Sequence, residues 1–202
     1  LPISSPAFDK NAKPYAYDPE KAKELLKEAG FEKGLKFSVT ATSNESWGLP
    51  IVEAMIPMLA KVGVTVTTDP VENSVLSDKI LSDNFESFIW SNSSGPDPLK
   101  YLTCFYSKTP QNACNYVKFN NADFDKLIDQ AGNETDPAKQ NDILRQANNL
   151  LEEEAPVWFF NYNKAVMAYQ PWVHGLKPNG AELAIQDYED VWIDDSAPAS
   201  RK

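Results

Sequence analysis

The order of segments between Leu35 and Trp90 constrains the fold more than any other feature of the sequence. Three segments rich in β-branched and aromatic residues alternate with two segments of helical length; in chain order they are residues 35–42, 50–62, 64–68, 75–81 and 88–90. Such alternation is typical of a parallel sheet with helices packed on its faces. The sequence therefore predicts an α/β fold with a mostly parallel sheet flanked by helices.

Helix signals precede and interrupt this stretch. Asp18 is a good N-cap, Pro19 fits the first helical turn, and Gly30 is suited to the position just past the helix end. The predicted apolar face of this helix comprises Ala22, Leu25, Leu26 and Ala29. The strongly apolar segment 50–62 predicts a buried helix with a kink at Pro57.

The second half of the chain contains two more helix starts. Asn121 or Asp123 can cap one helix, and Asp136 followed by a proline begins another. After these helices, residues 157–162 and 165–169 have the composition of two strands.

Charge and motif content exclude several classes of function. The net charge of −10 argues against a nucleic-acid partner, because phosphate binding needs clustered Lys and Arg. The sequence contains no nucleophile elbow, phosphate loop or dinucleotide fingerprint. His174 is the single histidine, so a catalytic triad or a Cys/His zinc site would have to use it. We therefore expect no enzyme, no cofactor and no metal site.

Cys104 and Cys114 are the two cysteines. Their spacing does not match a Cys-x-x-Cys redox motif. A local disulfide is one interpretation and would imply an oxidising compartment; two unrelated buried thiols are the other.

The predicted strands direct attention to the loops that follow them. Ligands of open α/β sheets lie beyond the carboxyl ends of the strands, which here lead into residues 43–48, 69–73 and 91–98. Aromatic residues occur in or near these loops, as in a solute cleft, namely Trp47, Trp90, Tyr101, Phe105 and Tyr116. Of these, Trp90 ends an apolar strand and is expected to belong to the core.

Several motifs, in their order along the chain, resemble family 5 of the solute-binding proteins of ABC importers, which includes dipeptide-, oligopeptide- and nickel-binding members. The resembling segments are residues 15–31, the helix–glycine–strand step at 60–66, Trp90 with Asp97-Pro98, the helix start at 120–128, and the helix end at 145–156. The resemblance covers nearly the whole chain.

The resemblance implies a lobe of the type II periplasmic-binding-protein fold and a protein more than twice this length. Residues 1–14 would form an extended hinge segment, 15–170 the second α/β lobe, and 171–202 a C-terminal return segment with an acidic tail. The N-terminal lobe of the same protein would then lie outside this chain. The resemblance also implies that Cys104 and Cys114 form a disulfide.

The implied function is the capture of a peptide-like or other small solute between two lobes and its delivery to an ABC permease in the membrane. The implied location is periplasmic or extracytoplasmic, with the protein either free or membrane-anchored. Two alternatives remain open, a sensory or chaperone-like protein that binds a partner, and a hydrolase that uses carboxylates.

Strand ends and resemblance together predict the ligand-binding residues Asn44, Glu45, Trp47, Trp90, Asn92, Ser93, Ser94, Asp97 and Asn115. Two positions depart from the dipeptide-binding pattern. Residues 91–95 contain no acid to pair with a peptide amino group, and Asn44-Glu45-Ser46 stands where dipeptide binders carry an Arg. Asp97 can instead form a local turn with its own backbone. The loop with Glu45 therefore favours a cationic or hydroxyl-rich solute.

Overall fold

The computed structural model describes residues 1–13, 15–91, 95, 97–111, 113–162, 166–177 and 188–198. In chain order the elements are α1 (Pro19–Glu28), β1 (Leu35–Thr42), α2 (Gly48–Ala60), β2 (Val64–Val71), α3 (Asn73–Leu81), β3 (Ser87–Phe88), α4 (Pro98–Thr103), α5 (Ala122–Asn133), α6 (Pro137–Glu154), β4 (Val173–His174) and β5 (Trp192–Ile193). The chain divides into two compact units. The sheet unit comprises 11–92 and 110–116, and the helical unit comprises the described residues of 1–10, 93–109 and 117–202.

The sheet unit contains a three-stranded parallel sheet in the order β2-β1-β3. β1 pairs with β2 along its whole length, from Leu35 opposite Val64 to Thr42 opposite Val71. One face of the sheet carries an apolar core with α2, formed by the buried residues Val39, Ala41, Val52, Val64 and Val66. The parallel α/β arrangement predicted from the alternating segments is confirmed, although β3 is Ser87–Phe88 rather than 88–90.

The helical unit has its own core between α4, α5 and α6, with Leu102, Phe124, Ile128, Leu144 and Leu151 among its buried residues. The two long helices begin where the sequence predicts. The Asn121 side chain accepts from the N–H groups of Asp123 and Phe124, and Asp136 caps α6 in the same way. A separate two-stranded antiparallel sheet joins β4 to β5.

The expectation that the apolar segment 50–62 forms a buried helix is wrong for most of its length. α2 buries only Gly48 and Val52 fully. Pro57 is exposed and Met58 is more than half exposed, on the side of the helix that points away from the sheet. The sheet covers one side of this helix, so the apolar residues on the opposite side have no core to enter.

The apolar face predicted for α1 is also only partly used. The helix has the predicted cap, with the Asp18 carboxylate accepting from the Lys21 N–H, and Gly30 follows its end with a φ of +86°. Leu26 packs against the core of the sheet unit, whereas Leu25 is half exposed and no residue of α1 is fully buried.

The prediction of strands at 157–162 and 165–169 is wrong in the described part of these segments, which forms no strand ladder there. A strand requires a neighbour with which to exchange backbone hydrogen bonds, and the described residues supply none here. Several large side chains of this segment are at least about half exposed, namely Trp158, Phe160, Tyr162, Val166 and Tyr169. None of the described helices is both long and apolar enough to cross a membrane.

Candidate functional site

The carboxyl ends of the three parallel strands lie at one edge of the sheet. Thr42 and Val71, the last residues of β1 and β2, are register partners. On the other side of β1, the Ile89 N–H donates to the Thr40 carbonyl at 3.1 Å as the chain leaves β3. The loops after all three strands therefore start from the same edge, which is the usual position of a ligand in a sheet of this kind.

Asn44 connects the loop after β1 to the start of α3. Its Oδ1 accepts a hydrogen bond from the Thr42 hydroxyl at 2.8 Å and another from the Asn73 backbone N–H at 3.3 Å. Beside it, the N–H and hydroxyl of Ser43 both donate to the Val71 carbonyl, at 2.8 and 3.0 Å. These four bonds fix the start of the first loop against the second strand.

Thr42 and Gly48 hold the two ends of the first loop together. Thr42 is fully buried, and a Cβ atom built at Gly48 would lie 2.5 Å from the Thr42 methyl group and about 3 Å from its backbone. Only glycine therefore fits at the first residue of α2 without a shift of β1. The remaining loop residues include Glu45, which is exposed, and Trp47, which is partly buried at the N-cap of α2.

The other predicted site residues have varied surroundings. Trp90 is partly buried and follows β3 at the same edge, but it is not a member of the buried core. Asn115 is 3% exposed and interacts within the chain. The Asp97 carboxylate accepts from the N–H groups of Leu99 and Lys100 at the start of α4, which is the local role that its Asp-Pro sequence allows. Asn92, Ser93 and Ser94 lie outside the described residues.

A polar cavity of about 310 Å³ on the sheet unit contains side chains that the sequence analysis missed. Asp69 accepts from Lys79 at 2.6 Å and from the Thr40 hydroxyl at 2.9 Å, and these two donors, Lys79 first, lower its pKa. Glu86 accepts from both the N–H and the hydroxyl of Ser38, which lowers its pKa as well. These carboxylates are satisfied by the protein itself, so the cluster supports the sheet. The signal available in the sequence was the run of threonine and serine at alternate positions of β1.

His174 lies beside two residues that resemble the partners of a catalytic triad, but their bonding differs. Its Nε2 is 2.6 Å from Asp194, and its ring stacks on Trp192 with centroids 4.3 Å apart. The Ser196 hydroxyl donates to Asp194 and not to the imidazole. The Ser196 hydroxyl and then the His174 imidazole lower the pKa of Asp194 to about 2. This arrangement ties β4 to β5 and leaves no base on the serine oxygen.

Cys104 and Cys114 form a disulfide, as the family resemblance implies. The closed loop contains Gln111, whose Nε2 donates at 3.3 Å both to the Ile80 carbonyl and to the Asp83 carboxylate. The loop thereby contacts the end of α3 and Asp83, which follows the helix with a left-handed backbone conformation. No group of three or more His, Cys, Asp and Glu side chains in the described part of the chain could hold a metal ion.

Residues 1–113 match the family described as bacterial extracellular solute-binding proteins, family 5 Middle. The chain belongs to this family. The matched residues include the parallel sheet and α4, and so include the edge at which the candidate site lies.

Named members of family 5 are similar to this chain over most of its length. Di/tripeptide-binding protein 1 of Pseudomonas aeruginosa is 26% identical over 183 residues, which is 88% of this chain and 34% of that protein. The chain thus spans about a third of the length of this curated relative.

Solved structures give the same fold. A putative peptide-binding protein, AppA of Clostridium difficile, superposes on this chain with a TM-score of 0.82 at 22% identity. The superposed region is 96% of this chain and 41% of the AppA chain. MoaA of A. tumefaciens R10, solved with mannopinic acid, superposes with a TM-score of 0.67 at 29% identity. The superposed region is 77% of this chain and 32% of the MoaA chain. The fold is therefore that of a type II periplasmic-binding-protein lobe.

Proposed function

We propose that this chain is part of the substrate-binding component of an ABC import system, which captures a peptide-like or other small solute and delivers it to a membrane permease. Membership of family 5 carries the proposal, because its named relatives bind small solutes. The sheet edge supports it: Asn44, Glu45, Trp47 and Trp90 lie in loops that begin there. The location would be periplasmic or otherwise extracytoplasmic, with the protein free or anchored.

The solute is expected to carry a positive charge or several hydroxyl groups. Glu45 is an exposed carboxylate three residues beyond the end of β1, in the loop where dipeptide binders resembling this chain carry an Arg. A carboxylate in a cleft favours ammonium groups and hydroxyl donors over the carboxylate end of a peptide. Asp97 already accepts two backbone N–H groups, so it is less available as a partner for a cation.

The binding unit is expected to need a second lobe that lies outside this chain. The exposed aromatic segment, defined by Trp158, Phe160 and Tyr162, offers an apolar surface of the kind that normally packs against protein. In the proposed mechanism the solute enters between two lobes, which close around it before the complex docks on the permease.

The proposed function includes no catalysis. Serine, histidine and aspartate meet in the β4–β5 region, but the serine hydroxyl bonds the aspartate. Two of the described carboxylates are already bonded within the protein: Asp97 caps α4, and Asp69 pairs with Lys79. Glu45 is an exposed single carboxylate in the loop after β1. General acid–base work would need two carboxylates poised differently around one substrate.

Calorimetry on the family-length protein tests this proposal with a panel of dipeptides, glutathione, polyamines and sugar alcohols. We expect saturable binding without product formation. Glu45→Gln should weaken the affinity for a cationic solute about tenfold, because it removes one charge-assisted hydrogen bond. Glu53→Gln, at an exposed position on α2, is the matched control and should leave affinity unchanged.

Turnover of any solute in the panel would exclude a pure binding function. Equal affinity of the wild-type and Glu45→Gln proteins for polyamines would exclude the proposed role of that carboxylate. Tight, solute-independent association with a receptor protein would instead support the sensory alternative.

A further inference from the structure

We propose that Asn44 has two simultaneous roles: its side-chain oxygen caps α3 from a different loop, and its amide nitrogen donates hydrogen bonds to an oxygen of the solute. The second role rests on the proposed solute-binding function, whereas the first does not. The proposal assigns to one residue both the shape of the site and part of its selectivity.

The capping role follows from what α3 lacks. The first N–H groups of any α-helix have no partner within the helix, and Glu72, the residue at the N-cap of α3, makes no side-chain capping bond. Asn44 supplies the missing acceptor to Asn73, the first residue of the helix, from 29 positions earlier in the chain. Asparagine is among the best capping residues when it acts within its own helix, and the same chemistry acts here between two loops.

The capping bond decides which way the Asn44 carboxamide points. A backbone N–H can only donate, so the atom that faces Asn73 must be the side-chain oxygen. The Thr42 hydroxyl occupies the same oxygen from a second direction and is itself fixed, since Thr42 is fully buried against Gly48. The orientation of the Asn44 carboxamide is therefore set by the Asn73 backbone N–H, which can donate a hydrogen bond but cannot accept one.

The nitrogen of the carboxamide is then the atom available to a solute. Asn44 is exposed, and within the described part of the chain its recorded hydrogen bonds all use Oδ1. Its Nδ2 carries two N–H donors and no charge. Glu45, the next residue, offers only acceptors when ionised. This edge thus presents a neutral donor next to an anionic acceptor, which suits a solute with an oxygen acceptor adjacent to an ammonium or hydroxyl group.

Two substitutions separate the roles in the family-length protein. Asn44→Asp keeps an oxygen for the Asn73 N–H and removes the nitrogen donors, whereas Asn44→Ala removes both. Asn120→Asp, at an exposed position in the helical unit, controls for the added charge. We expect Asn44→Ala to lower Tm by about 2–4 °C and to accelerate amide hydrogen exchange at Asn73, while Asn44→Asp leaves both close to the wild type.

Binding of the dipeptide Met-Leu, glutathione and mannopinic acid then tests the donor role. For every probe that the wild type binds, Asn44→Asp should weaken affinity at least tenfold, although the variant is as stable as the wild type. Unchanged exchange at Asn73 in Asn44→Ala would overturn the capping role. Unchanged affinity in Asn44→Asp would overturn the donor role.

The two failures are distinguishable from a failure of the proposed function. If the wild type binds none of the probes and none of the wider solute panel, both the solute-binding function and the donor role are overturned. Hydrogen exchange at Asn73 still decides the capping role, because that measurement needs no solute.

Discussion

A threonine methyl group fills the space that any side chain at Gly48 would need. Thr42 is the last residue of β1, and Gly48 is the first residue of α2, so this contact closes the loop between them. The same threonine donates to Asn44. At the scale of single residues, the shape of the candidate site therefore depends on a glycine that itself offers no side chain to a solute.

We predict that Gly48→Ala destabilises the fold by about 1–3 kcal/mol, the usual cost of overpacking a filled site. Chemical denaturation of the family-length protein measures this change. Gly132→Ala is the matched control, because Gly132 lies in α5 and a Cβ there meets nothing within 4 Å. The control should be neutral or stabilising by up to about 1 kcal/mol. Equal effects at both glycines would contradict the packing account.

Residue-level predictions from the sequence succeed where the cause is local. The caps at Asp18, Asn121 and Asp136 could be read directly, because each side chain bonds N–H groups two or three positions away. The hydrogen bond from the Asn73 N–H to Asn44 could not be predicted in this way, because Asn73 begins α3, 29 positions away, and only folding brings the two residues together. The carboxylate pairings of Asp69 and Glu86 were missed for the same reason.

At the scale of elements, α2 shows how composition misleads when a helix has a single neighbour. Apart from Glu53 its residues are apolar or glycine, yet the sheet contacts one side of the helix only, so Pro57 and Met58 remain exposed. Pro57 is the tenth of thirteen helical residues, where a proline removes one backbone hydrogen bond.

We predict that Pro57→Ala stabilises the protein by about 1–3 kcal/mol, because an N–H donor returns at a position where the carbonyl four residues earlier can accept it. Thermal unfolding measures the gain. Pro50→Ala is the control: Pro50 lies in the first turn of the same helix, where no intrahelical acceptor exists. A destabilising effect at Pro57 would mean that its ring makes contacts important for packing.

The segment that follows α6 shows the opposite limit of sequence reasoning. Residues 157–162 have strand composition, but strand formation depends on a partner, and no described strand pairs with them. A composition favourable to β-structure is a statement about fit to a neighbouring surface. The parallel sheet was predictable because its partners all lie within residues 35–90 and alternate with their crossover helices.

At the scale of the whole molecule, the disulfide restrains a segment with few regular elements of its own. Cys104 and Cys114 close a loop of about ten residues, for which the chain-entropy account gives roughly 2.7 kcal/mol of stabilisation. The loop also positions Gln111 against the end of α3.

We predict that the Cys104→Ser/Cys114→Ser variant of the family-length protein loses about 2–3 kcal/mol of stability under oxidising conditions. Urea denaturation with and without a reducing agent measures this loss. The reducing agent should destabilise the wild type by the same amount and leave the serine variant unchanged. A wild-type protein insensitive to reduction would show that the bridge adds nothing to folding in solution.

Thr42, Asn44, Asn73 and Gly48 form a clasp, held by two hydrogen bonds and one close contact, that limits which loop positions can be changed in protein engineering. Between Asn44 and the helix-initiating Trp47 there are only two exposed residues, Glu45 and Ser46, whose replacement leaves the clasp intact. A library built to redirect this protein toward a new cargo should randomise those two positions first. Random mutagenesis of the whole loop would mostly yield variants that have lost the hydrogen bonds of Asn44 or the contact between Thr42 and Gly48.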